Sequence, residues 1–224
     1  MTEKTPPLDP INPVQYGECM RIGKHKLLCT DVELLNDYPF DQKPDVVISN
    51  PPWDLSLQRR HRTLENLLMP THDYWHGFIP AMIQQFKACK GAVFAEQQEK
   101  NFNRTLIYLE SHGSRVTHTW QVAFKPRNYK SKLYRIVHCN NKDMGFDADL
   151  SNITYTQIPD AVLKNYAKGT VVYDPFNGYG TTAMAAEKHQ CIFYGCEIKA
   201  KRVAENLRRL QKITGHKPVK LFSK

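Results

Sequence analysis

The chain has 224 residues, 41% of them hydrophobic and 24% charged, which suits one α/β core of ordinary composition and excludes a disordered tail. Lys and Arg number 31 against 22 Asp and Glu, and the resulting formal net charge of +9 attracts polyanions. No apolar run approaches the roughly 18 residues that span a bilayer, and no charged-then-apolar leader opens the chain, so a cytoplasmic protein with no membrane partner is expected.

Residues 1–15 carry four prolines and little periodicity, which predicts an irregular N-terminal arm over 1–25. HKLLCTD and PDVVISN are short apolar runs ending in polar residues, as expected of buried parallel strands. Residues 54–76 are polar and basic and are interrupted by Pro70, predicting a mobile loop. A helix follows, with Phe78, Met82, Ile83 and Phe86 at helical spacing. GAVFAE predicts a strand, NFNRTLIYLESHG a helix closed by Gly113, and VTHTWQVAFK with LYRIVHCN a hairpin whose tip is PRNYKSK. From Asp160 onward the order is short helix, TVVYD strand, TTAMAAEKH helix, CIFYGCEI strand and AKRVAENLRRLQ helix, a βαβ pattern. Residues 26–215 thus form one predicted domain, and 216–224 a basic tail. Cys19, Cys29, Cys89, Cys139, Cys191 and Cys196 lack CxxC or Cys/His ligand spacing, so they are expected as buried free thiols, with no metal.

Asp174-Pro175-Phe176-Asn177-Gly178-Tyr179-Gly180-Thr181-Thr182 follows a predicted strand and opens a helix, the place where open α/β sheets bind ligands. Glycine at 178 and 180 permits a sharp turn and a close backbone approach. Seventeen residues after Gly180 the next strand ends at Glu197, placed to accept hydrogen bonds from the ribose of an adenosine-type cofactor. Nicotinamide and flavin folds share that physics, so this feature by itself does not choose among them.

The second constellation is Asn50-Pro51-Pro52-Trp53 at the end of VVIS. Two prolines fix φ and remove two backbone donors, giving a stiff turn. An exocyclic amine on a base is a poor nucleophile, because its lone pair is delocalised into the ring. The Asn50 side-chain oxygen and the Pro51 carbonyl are suited to accept its protons, and Trp53 offers a flat face for an extruded base.

Together these residues resemble the DNA amino-methyltransferases, which carry an (Asp/Asn/Ser)-Pro-Pro-(Tyr/Phe/Trp) motif and a Phe-x-Gly-x-Gly motif. With the first motif early and the second late, the chain is similar to the circularly permuted β class over most of residues 26–210. The resemblance implies a Rossmann-like class I methyltransferase fold: a mainly parallel sheet with a reversed β-hairpin and helices on both faces. It implies S-adenosylmethionine as cofactor and methylation of N6 of adenine in DNA, with Asn50, Pro51, Pro52 and Trp53 catalytic. Cofactor contacts carry over to Asp174, Pro175, Phe176, Gly178, Gly180, Thr181 and Glu197, to Asp31 in LLCTD, and to Thr156 and Gln157 in TYTQIP, a degenerate form of the family's His-Pro-Thr-Gln-Lys-Pro. Phosphate contacts are expected from Arg59, Arg60, Arg62, Lys125, Arg127, Lys130 and Lys132. No sizeable target-recognition domain is expected, since little chain separates LYRIVHCNNK from TYTQIP. N4-cytosine, a single-stranded or RNA substrate, and a non-catalytic nucleic-acid-binding role stay open, as does monomer against homodimer.

Overall fold

The computed structural model describes residues 14–64, 74–124, 129–138, 149–151 and 153–223, with side chains left undescribed at 61, 64, 123–124 and 129–138. The described strands are β1 (Glu18–Ile22), β2 (His25–Cys29), β3 (Val46–Ser49), β4 (Ala92–Gln98), β5 (Ser114–Phe124), β6 (Tyr129–His138), β7 (Val171–Asp174), β8 (Ile192–Glu197) and β9 (Val219–Ser223). They form one sheet in the order β5-β6-β4-β3-β7-β8-β2-β1-β9. The middle five, from β4 to β2, are mutually parallel. β6 runs antiparallel to both β4 and β5, which is the expected reversed hairpin. No described helix is long and apolar enough to cross a membrane.

The central strands are short and buried along their whole length, as VVIS in β3 and VVYD in β7 illustrate, because helices cover both faces of the sheet. Along β3 and β4, successive side chains alternate between two cores. Val46, Ile48, Ala92 and Phe94 face Val162, Ala183, Ala186, Val203 and Leu207 of the helices α4 (Ile158–Leu163), α5 (Thr181–Lys188) and α6 (Ala200–Thr214). Val47, Val93 and Ala95 face Ile79, Met82, Ile83, Phe86, Phe102 and Leu109 of α2 (Ile79–Lys87) and α3 (Glu99–Ser111). Cys19, Cys29, Cys89, Cys191 and Cys196 are buried and free; Cys139 lies outside the described residues.

Three segments differ from the sequence reading. Residues 18–22, within the span predicted as an arm, form β1. Gly17 at φ +88° and Gly23 at φ +55° turn the chain on either side, and Cys19 and Ile22 become fully buried. Residues 219–223, within the predicted tail, form β9 against β1, tied by Lys220 Nζ to Glu18 at 2.6 Å. Residues 55–64, within the predicted loop, form a helix, α1 (Leu55–Leu64). The Asp54 carboxylate accepts from the Leu57 N–H at 3.0 Å and so satisfies one of the free donors of its first turn. Residues 65–73 of that predicted loop lie outside the described residues.

Candidate active site

The carboxyl ends of β2, β3, β7 and β8 open into a cavity of about 580 Å³, walled by the segments that follow these strands and by α1. A parallel sheet binds ligands at this edge because its strand ends and helix starts leave backbone groups without intra-element partners.

After β7 the chain turns through Asp174 to Thr181. Asp174 is buried; its Oδ1 accepts from the Phe176 N–H at 2.9 Å and its Oδ2 from the Thr182 hydroxyl at 2.6 Å. Loss of water around the carboxyl pushes its pKa up to about 7, against the opposing pull of those two donors. Gly178 at φ +52° and Gly180 at φ +77° hold left-handed conformations that favour glycine. A Cβ at Gly180 would run into the side chain of Asn206, so this glycine lets α6 approach; its place is behind the cavity wall rather than in it. Asn206 in turn donates to the Gly178 carbonyl at 3.1 Å, and Arg209 donates to that of Tyr179.

Glu197, ending β8, is buried and braces the same loop. Its Oε2 accepts from the Gly178 N–H at 2.8 Å and its Oε1 from the Lys199 N–H at 2.9 Å, while burial raises its pKa. Asn177 is also buried in the wall, and neither polar atom of its side chain has a hydrogen-bond partner among the described residues.

After β3 the Asn-Pro-Pro-Trp turn is held by two hydrogen bonds from outside it and one within it. The Tyr74 hydroxyl donates to the Pro52 carbonyl at 2.8 Å, the Asn101 amide donates to the Trp53 carbonyl at 2.7 Å, and the Trp53 indole N–H donates to Asn50 Oδ1 at 3.0 Å. Asn50 is exposed on the cavity rim and Pro51 is buried beside it. Trp53 is only 8% exposed, so it is a wall of the cavity and not the open platform expected from sequence. Its indole N–H is engaged by Asn50.

Asp31, after β2, is buried and caps the next turn by accepting from the Glu33 N–H at 3.0 Å. Arg62 is buried and pairs with both Asp31 and Glu33, which corrects its expected role as a surface phosphate contact: its guanidinium is committed to carboxylates inside the cavity wall. Arg59 and Arg60, on the same helix, are exposed. Thr156 lines the cavity, whereas Gln157 caps its own turn by accepting from the Thr154 N–H at 2.8 Å and stands outside the lining. Lys125 and Arg127 lie outside the described residues, and Lys130 and Lys132 are described only as β6 backbone. Sequence reasoning missed Glu33, Gln58 and Asn177 in the wall. The spacing of Gln58 and Arg62, four residues apart, is the signal that would have placed both on one helix face. Among the described residues no cluster of three or more His, Cys, Asp or Glu side chains is placed to hold a metal ion.

Known structures share this fold at low identity. The chain is similar to PvuII DNA methyltransferase, described as cytosine-N4-specific, at 11% identity, covering 85% of this chain and 91% of that one with a TM-score of 0.61. M1.HpyAVI matches at 14% identity over 75% and 88% of the two chains, TM-score 0.55. TTHA0409 of Thermus thermophilus, described as a DNA modification methylase, matches at 12% over 81% and 90%, TM-score 0.54. The latter two are also known in complex with S-adenosylmethionine. No curated protein matches the sequence. The N6_N4_Mtase family model, described as DNA methylase, matches residues 49–207, more than half of the chain and the whole stretch from the Asn-Pro-Pro-Trp turn to the helix behind the glycine loop. The chain belongs to this DNA methylase family.

Proposed function

We propose that the chain transfers a methyl group from S-adenosylmethionine to the exocyclic amine of a base in DNA, with N6 of adenine as the favoured position. The observation that carries this reading is the convergence of Asn50 from β3 with the Asp174–Thr181 loop and Glu197 from β7 and β8 on one cavity. The residues present fit such a cofactor. Gly178, in a left-handed conformation that favours glycine, lines the cavity without a Cβ, a buried carboxylate lines the same space, and the Asn177 amide lacks a partner among the described residues that a polar ligand would supply. The volume is also that of a small-molecule pocket, typically about 300–1,000 Å³. When bound, S-adenosylmethionine supplies an electrophilic methyl group on sulfur.

The chain's own residues act on the amine. Oxygen has two lone pairs, so Asn50 Oδ1 can hold the Trp53 N–H and still accept an N–H from the base. Accepting that proton-bearing bond draws electron density toward the nitrogen and favours its pyramidal form. A neutral amide cannot keep the surplus proton of the product, and the exposed rim beside Asn50 leaves it a path to water. Pro51 and Pro52 fix the turn, so little reorganisation is needed at the moment of reaction. For an amine paired inside a duplex, base extrusion is required before it can reach a recessed wall such as Trp53.

Asn in the first motif position supports adenine over cytosine through the family resemblance. A single-stranded substrate is the second reading, favoured by the short run between β6 and Thr154, which leaves little room for a duplex-reading domain. Incubation with methyl-labelled S-adenosylmethionine and duplex DNA, single-stranded DNA or RNA, followed by nucleoside analysis, tests all of this together. Label in N6-methyladenosine of the deoxy series is expected; label in N4-methylcytosine would move the base assignment, and no label in any nucleic acid would remove the function.

A further inference from the structure

Three residues of the helix α1, Leu57, Gln58 and Arg62, line the cavity. Its first turn is fixed beside β3 and the start of α3, where Asp54 accepts from Lys100 at 3.0 Å, and its last turn is fixed beyond β2, where Arg62 pairs with Asp31 and Glu33. Four neighbouring strands, β3, β7, β8 and β2, separate these anchors. At about 4.8 Å per strand they span roughly 14 Å. The eight steps from residue 54 to residue 62 span roughly 12 Å at the helical rise, so α1 reaches from one anchor to the other across the ends of β7 and β8. Midway between the anchors is Gln58. It is 4% exposed, lines the cavity, and neither its amide nitrogen nor its oxygen has a hydrogen-bond partner among the described residues. A buried carboxamide left this way is costly unless a ligand completes it.

We infer that Gln58 is a donor-binding residue: α1 is a roof over the methyl-donor site, latched by Arg62, and the Gln58 carboxamide hydrogen-bonds the bound S-adenosylmethionine. This rests on the methyltransferase reading. Its position over β7 and β8, which carry the glycine loop and Glu197, assigns it to the donor and not to the base, whose expected place is beside Asn50 on β3. A carboxamide offers one acceptor and two donors, matching a ligand edge that presents both kinds of group.

The test is calorimetric titration of the full chain with S-adenosylmethionine, paired with thermal unfolding of the free protein. Gln58→Leu removes the two polar atoms at similar volume. The free variant should melt higher than wild type, because buried unsatisfied groups are gone, and should bind the donor about tenfold more weakly, the cost of one lost hydrogen bond with its partner left unpaired. Gln58→Met, which likewise removes both polar atoms and fills a similar volume, serves as the second variant if the first does not fold. Unchanged donor affinity in either variant, with Glu197→Ala weakened as expected, would overturn the role of Gln58 and leave the methyltransferase reading standing. Unchanged donor affinity with a raised KM for DNA would assign Gln58 to the base instead and equally overturn it. A wild-type chain that binds no donor would remove both.

Discussion

Asn50 sits on the rim with its carboxamide held in one orientation, because the indole N–H of Trp53 takes one lone pair of Oδ1. The consequence is testable without disturbing packing. Replacing Trp53 with benzothienylalanine keeps the shape of the bicyclic ring and removes only the donor. Catalytic turnover should fall about tenfold, in line with one lost orienting hydrogen bond, while donor affinity stays the same; turnover equal to wild type would show that Trp53 serves only as a wall. The motif made Asn50 and Trp53 legible in the sequence, but not their bond to each other, since the two residues meet only after the prolines have set the turn. Asn177 was hidden for a different reason. It occupies a position the motif leaves free, and only burial reveals that its amide is unsatisfied.

Among the elements, strands were legible as unbroken apolar runs and α6 as an amphipathic repeat, whereas α1 was not. Its sequence, LSLQRRHRTL, turns Gln58 and Arg62 inward, so polar residues occupy the face that apolar residues usually mark. β9 was missed because it is short and pairs with β1, far away in sequence, a contact that local periodicity does not report, whereas β1 forms a hairpin with the neighbouring β2 but is short and directly follows a proline-rich stretch. The pairing of β2 with β8 carries its own pH dependence. His25 is fully buried; its Nδ1 accepts from the Phe193 N–H at 3.0 Å, so the neutral ring carries its proton on Nε2 and donates it to Glu187 at 2.8 Å. Burial pushes the imidazole pKa below its ordinary 6.5, outweighing the opposing effect of Glu187. The unfolded chain then binds more protons than the folded one at pH values below 6.5, so this contribution to stability is complete above about 6.5 and is lost as pH falls through the folded value. Thermal unfolding from pH 8 to 5 should show wild type losing stability on the acid side relative to His25→Gln, which keeps an acceptor and a donor but does not titrate. Parallel profiles would contradict this.

For the whole molecule, the mainly parallel sheet and the reversed hairpin at β5 and β6 were implied by the resemblance that the motifs carry, whereas the strand order emerges only from the pairing of distant segments. The charge of +9 finds its surface outlet partly in Arg59 and Arg60, exposed on α1, while Arg62 is committed inside. If the first two each neutralise one phosphate, the double change to Ala should make the slope of log affinity against log salt shallower by about 1.8 for duplex DNA. An unchanged slope would show them to be solvating charges only. The central claim is that the turn after β3 and the loop after β7 form one site in which Asn50 acts on the reacting amine. Single-turnover methylation of DNA by Asn50→Ala, with donor affinity measured on the same preparation, tests it most directly. Turnover should fall by about 10²–10³ with donor affinity unchanged, the loss of one preorganised contact made in the transition state. A fully active variant would mean that Asn-Pro-Pro-Trp is only a rigid turn and would contradict the account.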